Sequence, residues 1–413
     1  MVISIVLTCL DFTNAQVPDF ISVQGKEIIY RFDPAIKEKP LRIPSPFTNL
    51  ATPDNRKLAR SSEDCSLSAD IRVTYAGFNA QAQMAFQHAV DIWKRCIVAT
   101  TPIRIGVDFT NLGANTLGQA IVARYIIDQS GNDLPMKNVP YPVALANNIV
   151  GYDIYPSEPD IIAEFNSGVS WYFGTDGKTP ANQIDFVTVV LHEICHGLGF
   201  AASAQSDNTV SNTFIGRDYT IDNESELLPT IFDRKLEEAG GTKITTLPNF
   251  SNQLLSALTS ELVFFDDMHA RAANGGKRVP LYAPTIFDQG SSISHLAESF
   301  NGTVNALMTY SLAAEESIHD PGPVNIGILE DVGWPINQNC FPTYLYVNKN
   351  FVGVETGAIL NPFKSLEKAH EQSTNGSTIF FLSSGVHDET NDQLLDRKVL
   401  LRLANGGSSV IIR

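Results

Sequence analysis

Asp185-Phe-Val-Thr-Val-Val-Leu-His192-Glu193-Ile194-Cys195-His196-Gly197-Leu-Gly199 is the stretch on which the reading of this chain turns. An apolar run behind an aspartate, whose carboxylate can accept from the first free backbone N–H groups, predicts a helix beginning at Asp185. Gly197 and Gly199 are expected to end it, because glycine readily takes the left-handed conformation of a helix stop. Residues four apart share a helical face, so the imidazoles of His192 and His196 can reach one metal ion. Glu193, one residue on, stands near that ion without being forced to ligate it, where it can take a proton from a water that zinc activates. Cys195 points to another side of the helix and reads as a small buried thiol.

Upstream, Asp70–Tyr75 alternates as a strand does, and Asn79–Arg95 carries Ala82, Phe86, Ala89, Val90 and Trp93 at helical spacing. Ile103–Phe109, Ala120–Tyr125 and Asp160–Phe165 are further strand candidates. The order strand, helix, three strands, helix predicts an α+β domain with a mixed sheet and helices packed on it. Phe200–Ala283 is rich in loops, and Ile326–Trp334 reads as a last short helix. Residues 16–60 hold Pro18, Pro34, Pro40, Pro44, Pro46 and Pro53 and read as an extended lead-in or pro-segment.

Catalytic zinc takes three protein ligands and keeps a position open. Gly199, three residues after His196, allows the chain to turn sharply under the metal, as in the metzincin group of zinc proteases. The short-spaced metzincin pattern would put its third histidine at 202, where this chain has Ala202. The third ligand must come from further on, from among His269, His295 and His319. His295 lies in Gly290-Ser-Ser-Ile-Ser-His295, and Asn305-Ala-Leu-Met-Thr-Tyr310 follows. With Leu329-Glu-Asp-Val-Gly-Trp334, these pieces resemble leishmanolysin, in which a long insertion separates the glycine from the third histidine. The resemblance covers scattered points of residues 185–335, and the cysteine-rich character of leishmanolysins is absent. It implies a metzincin-like, two-lobed catalytic domain with a mixed twisted sheet and an active-site helix. It also implies His192, His196 and His295 as zinc ligands, Glu193 as general base and Met308 beneath the metal. Tyr310 would then donate a hydrogen bond to the oxyanion. His319 reads as a loop residue, and His269 has no turn signal beside it. In a thermolysin-like layout the third ligand would be a glutamate, from Glu224, Glu226, Glu237 or Glu238, but the glycine stop argues against it.

The 413 residues carry 45 acidic and 29 basic side chains, a formal charge of −16. That balance argues against nucleic acid or an anionic membrane as partner. The apolar start, Met1–Leu10, is too short to span a bilayer and suits a secretory signal with Ala15 at its cleavage point. Five cysteines are few for a disulfide-built scaffold. Cys65 is a candidate partner for Cys96, or a cap on the metal before activation. No later stretch is long and apolar enough for a membrane helix. After Cys340, strand-like pieces at 343–348, 378–382, 398–403 and 409–413, with a helical Asn361–Ala369, resemble the opening coils of a right-handed parallel β-helix.

The expected organisation is a signal peptide at 1–15, a lead-in at 16–60, a zinc metalloprotease domain at 61–337 and incomplete β-helix-like coils at 338–413. The expected function is that of a secreted, extracellular or cell-surface zinc endopeptidase acting on protein or peptide. The competing readings are an adhesin that binds surface glycan through its C-terminal region, and a degenerate protease keeping zinc for stability.

Overall fold

The computed structural model describes residues 20–34, 40–43, 69–221 and 224–337, and in the C-terminal region 344–353, 355, 362–372, 378–382, 385–387, 400–403 and 410–412. The expected signal peptide, Cys65 and Cys340 lie outside them.

The strands of the main sheet are β1 (Ile28–Asp33), β2 (Ile71–Ala76), β3 (Ile103–Thr110), β4 (Thr116–Val122), β5 (Ile161–Asn166) and β6 (Ser311–Ala313). Their spatial order is β6-β1-β4-β5-β3-β2. β2, β3 and β5 run parallel, β4 is antiparallel to β5, β1 is antiparallel to β4, and β6 is parallel to β1. The sheet is therefore mixed, and the fold is α+β with several smaller sheets around it.

Two helices pack together against this sheet. Helix α1 (Ala80–Cys96) starts at Asn79, whose side chain accepts from Ala82 N–H at 2.9 Å, and ends with Lys94 and Arg95 beside its carbonyl-rich terminus. Its Ala82, Ala85, Phe86, Ala89, Val90 and Trp93 are buried, which is the helical spacing read above. Helix α2 (Phe186–Gly197) is buried along its whole length. A helix enclosed on all sides needs its polar groups met internally. The Trp93 indole N–H donates to Leu191 O at 3.1 Å, and that of Trp334 to Leu198 O at 2.7 Å. Trp334 directly follows the turn that closes a later helix, α3 (Pro323–Val332).

Several expectations need correction. The Ala120–Tyr125 stretch is not one strand: the chain leaves β4 at Val122 and starts a separate strand, Tyr125–Asp128, paired with Phe20–Val23. Gly197 does not stop α2 through backbone conformation; its role is close approach, since a Cβ there would lie 2.3 Å from Ile161 Cγ2 on β5. Gly199, at φ +114°, makes the turn. The described part of the lead-in is extended but not separate, because Phe20–Val23 and β1 are built into two sheets. Its β-rich run Ile-Ile-Tyr-Arg-Phe takes strand pairing on both sides, which the surrounding prolines obscure in sequence.

In the C-terminal region Tyr344–Val347, Thr378–Phe381 and Leu400–Leu403 form a parallel ladder, and Gly385–His387 pairs in parallel with Val410–Ile412. Leu345, Val347, Phe363, Leu366, Ala369, Ile379 and Phe381 form a small core of their own. Cys96 is disulfide-bonded, and Cys195 is a buried free thiol. The partner of Cys96 lies outside the described residues. Among the described residues no helix is long and apolar enough to cross a membrane.

Replacing Gly197 by Ala forces α2 away from β5. We expect a loss of about 1–3 kcal/mol, read as a lowered urea midpoint with an unchanged denaturant slope.

Candidate metal centre

The aspartate that opens α2 is held from several sides. Asp185 accepts from Thr188 N–H and Oγ1, both at 2.7 Å, from Thr179 Oγ1 at 2.9 Å and from His319 Nε2 at 2.7 Å. His319 lies in a loop, as read, and is there a buried buttress of the helix cap. This network fixes the start of α2, and the turn at Gly199 fixes its end. His192, Glu193 and His196 sit between those anchors.

His192, His196 and His295 come together as a metal-capable group. Their Nε2 atoms lie 2.9 Å (His192 to His196), 3.2 Å (His192 to His295) and 3.2 Å (His196 to His295) apart. The other ring nitrogen of each faces a carbonyl: His192 Nδ1 donates to Leu307 O at 2.7 Å, His196 Nδ1 to Phe200 O at 2.7 Å and His295 Nδ1 to Ser291 O at 2.8 Å. A carbonyl can only accept, so each Nδ1 carries the proton and each Nε2 presents a lone pair. Three lone pairs converging at these distances repel unless a cation lies among them. This second shell of backbone acceptors is the arrangement by which metal-binding histidines are oriented. The donor set and the convergence fit a zinc ion, whose usual ligands include imidazole nitrogens.

Glu193 follows His192 on the same buried helix. Both of its carboxylate oxygens are buried without a hydrogen-bond partner, and burial raises its pKa well above the ordinary value. A buried carboxylate lacking any protein partner is costly, and a water beside the metal would satisfy it. Room for it depends on Gly118 of β4, where a Cβ would meet Glu193 Oε1 at 3.0 Å and Val189 Cγ1 at 3.1 Å. Gly118 escaped the sequence reading, in which a glycine inside a strand signals only weakness.

His295 is delivered by a turn through Ser291–Ser294. It is reinforced by Ser294 Oγ, which accepts from Ala202 N–H at 3.1 Å just past the Gly199 turn. Met308 is buried in the turn Ala306–Met308, whose Leu307 carbonyl orients His192. Tyr310 stacks on Tyr282, with ring centroids 4.2 Å apart. The tyrosine ring against the histidines is another one, Tyr30 of β1, stacked face to face on His192 at 3.6 Å. Among the described residues none of the alternative third ligands joins this group. His269 Nδ1 meets Asp331 at 2.8 Å, Glu237 pairs with Lys243 and Arg278, Glu238 accepts from Gly240 and Thr242 N–H, and Glu226 is exposed. Glu224 lies in the strand Glu224–Leu228, which pairs with Arg217–Ile221.

Residues 63–266 match the sequence profile of a family described as SPBPB7E8-like. That span includes α1 and α2 but ends before His295. The chain is similar to the uncharacterized protein PB7E8.01 of Schizosaccharomyces pombe, with 25% identity over 292 residues, or 65% of this chain and 46% of that protein. The chain thus spans about half the length of the curated relative it matches. No solved structure matches it.

Two expectations follow from the centre. Replacing His295 by Ala should weaken zinc binding by more than the roughly 10–100-fold that loss of an outer hydrogen-bond partner costs, whereas His269→Ala should leave it unchanged; equilibrium dialysis with metal analysis reads both. The second concerns pH. Burial holds His295 at about 4 and lowers His192 and His196 well below 6.5. Between those values the unfolded chain takes up protons that the folded chain refuses, so folding stability is lost as pH falls through that window. Within the centre Glu193, raised by burial, works in the opposite sense; outside it His88, lowered by burial to about 4, adds to the loss, and Asp160, raised by burial to about 6, offsets part of it. The metal-free protein should therefore unfold at a lower temperature at about pH 5 than at about pH 7 by scanning calorimetry.

Proposed function

We propose that this protein is a secreted zinc endopeptidase of the leishmanolysin-like metzincin kind, hydrolysing protein or peptide substrates. The observation that carries the reading is the convergence of three imidazole Nε2 atoms, two of them on a helix whose intervening Glu193 has a buried carboxylate with no partner. A site meant only to hold metal for stability has no use for that carboxylate. The buried turn at Met308, whose Leu307 carbonyl accepts from His192, and the return of Trp334 to α2 support the metzincin resemblance.

His192, His196 and His295 would hold the zinc, which when bound polarises a peptide carbonyl and eases the deprotonation of water. Glu193 accepts the proton from the attacking water and passes it to the departing amine nitrogen. Tyr310 is the candidate donor to the oxyanion. The parallel ladder in the C-terminal region supports reading residues 338–413 as opening coils of a β-helix, with surface glycan as the ligand class it would take.

The test is hydrolysis of a mixed quenched-peptide library by the zinc-loaded protein, before and after limited proteolysis of its N-terminal region. Glu193→Gln should keep the metal and lower kcat/KM by about 10²–10⁴-fold, and Tyr310→Phe should lower kcat by a smaller factor. Zinc-loaded protein that cleaves nothing in either form would overturn the proposal.

A further inference from the structure

Arg217 opens the strand Arg217–Ile221 and is only 4% exposed, yet among the described residues no carboxylate forms an ion pair with it. Its Nε is buried without a hydrogen-bond partner, and its guanidinium carbon stands 4.9 Å from the centre of the Tyr125 ring. An aromatic face offsets part of the cost of burying a cation, but a guanidinium carries five N–H donors that a ring does not satisfy. Buried charges are ordinarily paired. An unpaired guanidinium held inside a protein therefore points to an anionic group that arrives from outside.

Arg217 lines a cavity of about 500 Å³, a size usual for ligand pockets. Phe214, Leu227 and Phe250 give it an apolar wall, with the rings of Phe214 and Phe250 5.7 Å apart. Lys26 and Gln205 line it too, the Lys26 ammonium donating to Gln205 Oε1. Burial, and after it the Arg217 charge, lowers the pKa of Lys26, so two cations act on one space. Asp218 offsets part of this from the exposed rim, where its carboxylate accepts from Ser225 Oγ. The cavity is fastened to the loops that build the metal centre. Gln205 and Phe214 exchange backbone hydrogen bonds of 2.9 and 3.0 Å, and Gly216 N–H donates to Ser203 Oγ at 2.8 Å. The strand of Arg217 thus hangs on the segment that leaves the Gly199 turn. A narrow cleft of about 20 Å³ shares Lys26, Gln205 and Arg217 with the cavity and is lined also by Ala202 and Ser294, the residue just before His295.

We propose that this cavity is a carboxylate-binding subsite for the substrate, in which Arg217 takes a glutamate or aspartate side chain and Phe214 and Phe250 take its apolar neighbour. The inference rests on the peptidase reading and deepens it: the chain cuts at a fixed distance from an acidic residue. Arginine suits the task, because its planar fork can meet both oxygens of a carboxylate at once. The formal charge of −16 repels an acidic peptide at long range. Short-range pairing at a buried cation is then the source of the preference.

The experiment follows thermal unfolding of the zinc-loaded full chain with N-acetyl-glutamyl-phenylalanine amide and with its glutaminyl counterpart. The glutamyl form should raise the melting temperature and the glutaminyl form should not. Arg217→Met should lose that difference; if it fails to fold, Lys26→Met replaces it and should shrink the difference. Inorganic phosphate is the control for an anion site that reads no peptide, and a rise as large as that given by the glutamyl form would overturn the subsite. In the peptide library, cut sites should carry an acidic residue at one offset from the scissile bond. Arg217→Met should lower the preference for acid over amide there by roughly 10–100-fold, the worth of a charge-assisted hydrogen bond. Equal shifts with the two dipeptides, a shift with neither, or cleavage indifferent to acidic residues would each overturn the subsite. A shift confined to the glutamyl form, with no hydrolysis of any library peptide, would leave the carboxylate site standing and remove the peptidase.

Discussion

Three short hydrogen bonds, each from an imidazole Nδ1 to a main-chain carbonyl, are the constraint on which the rest depends. They spend the only proton a neutral imidazole carries and leave its lone pair facing inward. The acceptors come from three places: Leu307 in the turn before β6, Phe200 just past α2, and Ser291 four residues before His295. Each acceptor ties a loop to the centre as firmly as the centre is tied to it. The order of the long loops after α2 and the direction of three lone pairs are thus one fact seen from two ends.

The helix and its first two ligands were legible because everything needed to read them lies within fifteen residues: a cap, a period and a turn. His295 was legible for a different reason, namely its company of a serine before it and a methionine turn after it. Tyr30 was not. Its placement over His192 is decided by strand pairing across about eighty to three hundred residues of sequence, and no local pattern encodes such a pairing. Gly118 was missed in the same way, since the lack of a side chain matters only once Glu193 is known to lie behind it. Tyr310 lies where the sequence motif led one to look, with its carbonyl bonded to Arg31 and its ring on Tyr282.

Glycines carry much of the meaning here, and by two distinct means. Gly199 bends the chain in a conformation that other residues resist, while Gly197 and Gly118 are ordinary in conformation and matter for what they leave empty. A sequence reader sees one letter for both. Only the neighbours, Ile161 in one case and Glu193 in the other, tell them apart.

The distance along the chain between the parts of the centre also has a temporal side. His192 and His295 are 103 residues apart, and Leu198 and the Trp334 that caps it are 136 apart. At a synthesis rate of about 5–20 residues per second, a ribosome makes the histidine pair roughly 5–20 s before the third histidine exists. During that interval the nascent chain offers any metal two ligands and no enclosure. The segment that comes to lie over His192 has by then long been made. The covering strand is therefore at hand before the centre it covers can be complete, and assembly has no stage at which a finished centre waits for its cover to be synthesised.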